Sequence, residues 1–208
     1  MSLLECLVGL ALSLVLVGPL IKNSGEMIAK QIQYEKTQSL NAEAERALEL
    51  IGRAIRMAGY QHTQSFIRNS KHKSSPSDSI QIQKRVGFRG SDALMVKHEL
   101  SHGLDFDCIG NTLSKERTKN HLAQQGFLVD RQASVPKGMR VNGGSLICQS
   151  LDKRGHLQNT TLMNGVNQLS IQELPGLSGK AYKVKLEMTD GVLLHREYER
   201  IFFARNLS

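Results

Sequence analysis

The chain has 208 residues and carries 27 Lys and Arg against 19 Asp and Glu, a formal net charge of +8. That length supports one domain with a substantial core plus an appendage, and argues for one globular unit rather than two. The positive excess suits nucleic acid, anionic lipid or an acidic partner alike, and selects none of them by itself.

The first element is an apolar run, "LLECLVGLALSLVLVGPLI", from Leu3 to Ile21, interrupted by a single acid, Glu5. At about 1.5 Å per residue, a helix over residues 1 to 21 extends roughly 31 Å, close to the hydrocarbon thickness of a bilayer. A secretory signal peptide needs basic residues ahead of its apolar run and a small-residue cleavage site behind it, and only Met1 and Ser2 precede Leu3. A lipoprotein signal fails as well, because Leu4 and Glu5, not small residues, precede Cys6.

After Lys22 the pattern becomes amphipathic, with Met27, Ile28, Ile32, Leu40, Ala44, Ala47, Leu48, Ile51, Ile55 and Ala58 recurring at spacings near 3.6. One helix is therefore predicted from the apolar run to about Gly59, its polar face carrying Glu49 and Arg53 four residues apart. Pro19 and Gly25 predict a kink or a melted turn between the two halves.

Residues 69 to 79, "NSKHKSSPSDS", read as a surface loop. Then the period becomes two. "SIQIQKRV" from Ser79, "ALMVKHE" from Ala93, "LDFDC" from Leu104, "GFLVD", "SLICQS", "VNQLSIQEL", "YKVKLEM" and "VLLHREYERIFFA" predict the strands of an antiparallel sheet. Asn142, Gly143 and Gly144, and the triplet Thr189, Asp190 and Gly191, supply turn signals. The class expected is α+β, with a long N-terminal helix packed on the sheet. Its parts are residues 1–21, membrane-embedded, residues 22–59, the amphipathic half of the helix, and residues 60–208, a globular β domain.

Cys6 is most simply a small hydrophobe within the apolar run. If the polar part of the chain lies outside the cytoplasm, Cys108 and Cys148 are expected to bridge, closing a loop worth about 4 kcal/mol on the chain-entropy estimate. Two unrelated buried thiols remain the alternative.

A carboxylate in hydrocarbon is costly unless neutralised or paired, which makes Glu5 a functional candidate. The first Lys or Arg in the sequence is Lys22, so the near cation is the α-amino group of Met1. Between copies packed side by side with an axial offset, that amine of one subunit meets Glu5 of its neighbour, and attraction in a low dielectric sets the register. The plainer reading places Glu5 at the membrane edge, reaching into the headgroups.

Met1, Ser2, Leu3, Leu4, Glu5, Cys6, Leu7 and Val8 resemble the mature start of a type IV pilin. "RAIRMAGY" from Arg53, "GSDALMVKHE" from Gly90, "LMNGVNQLSI" from Leu162, the cysteines Cys108 and Cys148 and the ending "IFFARN" are similar to segments of PilW-type minor pilins. The J-type pseudopilin of type II secretion is the nearest alternative. The resemblance implies a type IV pilin-like fold, removal of a short leader by a prepilin peptidase, and N-methylation of Met1. It implies assembly through Met1 and Glu5, and packing of Leu3, Leu7, Leu10 and Leu14 against other minor and major pilins. It also implies an inner-membrane assembly platform and a tip adhesin as partners. The location it implies is the bacterial inner membrane, with a periplasmic domain, and then the pilus at the cell surface. No cofactor is implied.

His98, Glu99, Leu100, Ser101 and His102 spell H-E-x-x-H, a zinc peptidase signature when it lies on a helix. Here "ALMVK" precedes it and Gly103 follows, which predicts a strand and a turn with exposed histidines. Residues four apart on a strand are about 13 Å from each other, too far for two imidazoles to share one metal. His62, His72, His121, His156 and His195 are scattered without ligand spacing, and no phosphate loop, nucleophile and base pair or C-x-x-C occurs. Neither an enzyme nor a metal site is expected.

Lys71 and Lys73, then Lys84, Arg85 and Arg89, then Lys115, Arg117 and Lys119, and finally Lys153 and Arg154, form basic clusters. They offer DNA an electrostatic, salt-sensitive surface, although with no Trp, 4 Tyr and 6 Phe the chain has few stacking platforms.

Overall fold

The computed structural model describes residues 3–61, 78–101, 103–133, 135, 143–175, 179–192 and 194–207. Among these residues are one α-helix of 55 residues, α1 (Leu3–Met57), and seven strands. These are β1 (Ile80–Gln83), β2 (Ala93–Glu99), β3 (Leu122–Asp130), β4 (Gly144–Leu151), β5 (Leu157–Leu174), β6 (Lys180–Thr189) and β7 (His195–Ala204). The layout is α+β. Compact units comprise Met1–Asn41 and Ala42–Ser208, and α1 contributes to both.

Within the first unit, Leu, Ala and Val carry the helix. It runs through Pro19 and Gly25, where the sequence predicts an interruption, without a break in its assignment. A proline deletes one bond of the ladder, and the turns on either side keep theirs. Further along, Gln31 Nε2 donates to Glu35 Oε1 at 3.1 Å, one turn away.

The second unit is a meander. All neighbouring strands are antiparallel, and their order in the sheet is their order in the chain. Alternation makes one face apolar: Leu94 and Val96, Phe127 and Val129, Leu146 and Cys148, Leu169 and Ile171, then Val184, Leu186 and Met188 are all buried. The apolar stripe of α1, Ala44, Ala47, Leu48, Ile51, Ala54, Ile55 and Ala58, is buried as well.

Four of those helix positions are alanine, and Gly52 goes further. A Cβ there would lie 2.2 Å from Cε1 of Phe202, so only glycine admits the ring at this distance from the helix. The last turn of α1 ends at Gly59, whose φ of 71° is the left-handed conformation that a helix end reserves for glycine. Its orphan carbonyls find a donor far away in sequence: Asn206 Nδ2 donates to the carbonyls of Arg56 at 3.0 Å and Ala58 at 3.3 Å. Arg200 pairs with Glu45 on the same helix.

β5 is shared between two partners. Its first half, Leu157 to Val166, pairs with β4, and its second half, Val166 to Leu174, pairs with β6. The change falls at Gly165, with φ 78°, beside register shifts in both ladders. Beyond the end of β4, the free edge of β5 is taken up by the segment before β2. Asp92 N–H donates to Leu169 O at 2.8 Å, and the Asp92 carboxylate accepts the Ile171 N–H at 2.8 Å.

Residues 104–108 are not the strand that their alternation predicts, and only an isolated bridge joins Phe106 to Thr112. The aspartates of this stretch capture backbone donors that a ladder would use. Asp105 accepts from Ser101 N–H at 2.6 Å and Ser101 Oγ at 2.7 Å, and Asp107 accepts from the N–H groups of Ile109 at 3.0 Å and Asn111 at 2.8 Å.

Candidate functional site

From Leu3 to Ile21, α1 presents apolar side chains on all sides, with Glu5 the one charged residue. Leu3 is 80% exposed, and Leu4, Leu7, Val8, Leu10, Leu12, Val15, Val17, Leu20 and Ile21 are also exposed. A helix apolar on every face calls for apolar surroundings on every face, either lipid or other helices. Its most apolar 18-residue window has a mean hydropathy of 2.3 with no residue buried, so this helix is long and apolar enough to cross a membrane.

Glu5 lies in the first turn, where the positive end of the helix dipole favours a carboxylate. Leu3, Leu7 and Leu10 share the exposed surface of this segment. Met1 and the side chain of Leu14 lie outside the described residues. Cys6 is an exposed free thiol.

Cys108 and Cys148 form a disulfide, with Cα atoms 5.9 Å apart. It ties the strandless segment between β2 and β3 to the buried face of β4. The same segment is held by an ion pair of Arg117 Nη2 with Asp107 Oδ2 at 3.1 Å, in which both side chains are almost fully withdrawn from water. Arg117 Nε donates to Leu151 O at 2.9 Å, and Gln125 Nε2 donates to Phe106 O at 3.1 Å. Arg117 thus leaves the basic surface that the sequence assigns to it.

His98 corrects another expectation, since it is buried, only 2% exposed, rather than on the surface. Leu94, Val96 and His98 point to the same apolar face, and alternation carries the histidine inward with its neighbours. Among the described residues its Nδ1 has no hydrogen-bond partner. Burial pushes its pKa below the usual imidazole range; Asp105 pulls the other way, and Arg53 adds to the fall. The imidazole is therefore neutral at neutral pH.

Glu99 follows it on β2, and His102 lies outside the described residues together with His62, His72, Lys71 and Lys73. Among the described residues, no group of three or more His, Cys, Asp and Glu is placed to hold a metal ion. The remaining histidines, His121, His156 and His195, are exposed on separate turns and strand ends.

Lys84, Arg85 and Arg89 do come together, around the turn between β1 and β2. Burial would raise the Asp92 carboxyl, but the Ile171 N–H, the Lys84 ammonium and the Arg85 N–H outweigh it and hold the pKa below the usual carboxylate range. No strand alternation or motif spacing announces Asp92 as the residue that locks this turn to β5. Comparisons with protein-family profiles, with curated proteins and with solved structures find no match to this chain.

Proposed function

We propose that this chain is a minor pilin, a structural subunit of a type IV pilus rather than an enzyme. The observation that carries the reading is the division of labour along α1: its first residues are apolar all round with one carboxylate, Glu5, in the first turn, whereas residues 42–57 are buried as a stripe within a sheet-containing unit. In this reading the apolar segment anchors the subunit in the inner membrane and then packs among the helices of other minor and major pilins. The Met1 amine, exposed by a prepilin peptidase and methylated, meets Glu5 of a neighbour. The β unit faces the periplasm, where the Cys108–Cys148 disulfide persists. An assembly platform receives the subunit and a tip adhesin joins it in the filament.

The test is made in the native envelope. Glu5→Ala should leave the unfolding midpoint of the β unit unchanged and remove the protein from sheared pili, and mass spectrometry of the wild-type N-terminal peptide should find a methylated amine at Met1. Normal incorporation of the variant, or an unprocessed and unmethylated wild-type terminus, would sink the reading.

A further inference from the structure

The turn between β1 and β2 holds two arginines in a conformation that L side chains rarely adopt: φ is 58° at Arg85 and 53° at Arg89. Gly90, next to Arg89, also has a positive φ of 75°, and there the sequence uses the residue that takes this conformation without strain. Glycine would take the backbone conformation at 85 and 89 with less strain than arginine does. Strain of this kind gathers where a group must be held in one direction.

The turn forms one wall of a cleft of about 600 Å³ lined by Lys84, Arg85, Gly90, Asp92, Gln168 and Ser170. Its acid is already satisfied. Asp92 accepts from Lys84 Nζ at 2.9 Å, from the Arg85 N–H at 3.1 Å and from the Ile171 N–H at 2.8 Å, so Asp92 and Lys84 balance each other. The two arginines remain as net positive charge. Arg89, next to Gly90 of the lining but not itself part of it, donates to Asn167 Oδ1, and its guanidinium lies 5.3 Å from the centre of the Phe88 ring. Among the described residues the Arg85 guanidinium has no ion-pair partner. Opposite the turn stand the Gln168 amide and the Ser170 hydroxyl, both able to donate.

We propose that this cleft binds a compact phosphate-type polyanion, with the Arg85 and Arg89 guanidinium groups taking its charged oxygens and Gln168 and Ser170 donating to the rest. The guanidinium fork matches phosphate oxygens in pairs. A nucleic-acid duplex instead needs a row of cations along its track, and Arg117 is buried in its own ion pair. The proposal stands independently of the pilus reading.

Inorganic pyrophosphate is the probe, titrated into the full chain in detergent micelles at low salt and followed by calorimetry. Binding is expected, and Arg85→Ala with Arg89→Ala should weaken it about 10-fold or more. Arg85→Gly and Arg89→Gly should weaken it too while raising the unfolding midpoint by about 2–4 °C each, the signature of a site that trades stability for ligand contact. The proposal is overturned if pyrophosphate does not bind, if the double variant binds it as well as the parent, or if the glycine variants unfold at a lower temperature. Binding of a duplex oligonucleotide without binding of pyrophosphate overturns it as well, in favour of a polymer surface.

Discussion

Arg117 and Asp107 face each other at 3.1 Å in a stretch of chain that has no strand to hold it, with 10% and 0% of their side chains exposed. A buried pair of this kind gains little over a well-packed apolar pair, but removing one partner strands a charge. Arg117→Ala should therefore cost about 3–5 kcal/mol, and Asp107→Asn combined with Arg117→Met should recover most of that. Urea unfolding of the two variants checks it, and equal losses in both would show that the pair is worth more than the charge it neutralises.

The disulfide acts on the same segment from the other side. With Cys108 and Cys148 separated by 40 positions in sequence, its loss through Cys148→Ser with Cys108→Ser should lower stability by about 4 kcal/mol. At roughly 2–4 °C per kcal/mol for a unit of this size, the thermal midpoint should fall by about 8–16 °C. Scanning calorimetry of parent and variant measures it. A shift of a degree or two would mean that the ion pair and the hydrogen bonds to Leu151 and Phe106 fix the segment without the disulfide.

Gly52→Ala should destabilise despite the better helix propensity of alanine, worth about 1 kcal/mol. The new methyl group would occupy the position of the Phe202 ring, 2.2 Å away, and overpacking costs about 1–3 kcal/mol. Pairing it with Phe202→Leu should restore part of the loss in chemical unfolding, because the obstacle is the ring. A Gly52→Ala protein more stable than the parent would show that β7 yields freely to the helix.

Acid should weaken the β unit in two stages. His98 has a folded pKa below its ordinary 6.5, so the unfolded chain takes up a proton that the folded one refuses. That stability is full above pH 6.5 and declines as the pH falls below it. Asp92, held below its ordinary 3.8, adds stability that is present above that value and lost as the pH falls further. Urea midpoints at pH 8, 7, 6 and 5 should fall from 7 to 5 in the parent and stay level in His98→Gln. A parent curve that is flat across that interval would contradict the burial of a neutral imidazole.

Periodicity made most of this architecture readable in advance. "ALMVKHE" is β2 from end to end, with burial that alternates along it, and the stripe from Ala44 to Ala58 is buried at every predicted position. The first half of β5, "LQNTTLMNGV", escapes that reading because its partners leave most of its side chains in water, so no apolar face marks it. "LDFDC" misleads in the opposite sense, since its alternation is real and yet its aspartates bond locally. Alternation also placed His98 correctly on a strand; its burial depends on what covers that strand, which is a tertiary fact. The cleft beside Arg85 and Arg89 is less legible still, because Asp92 and Ile171 are 79 residues apart and a backbone conformation leaves no mark in composition.

The capping of α1 by Asn206 sets a condition on the order of synthesis. Neighbouring strands of the meander can pair as soon as each leaves the ribosome, with no crossover to wait for. The helix carbonyls of Arg56 and Ala58, the hollow at Gly52 and the acid of Glu45 are all completed by β7 and the residues just after it. The carbonyl of Arg56 and its cap at Asn206 are 150 residues apart, so the end of the helix is closed only when the last residues of the unit have emerged.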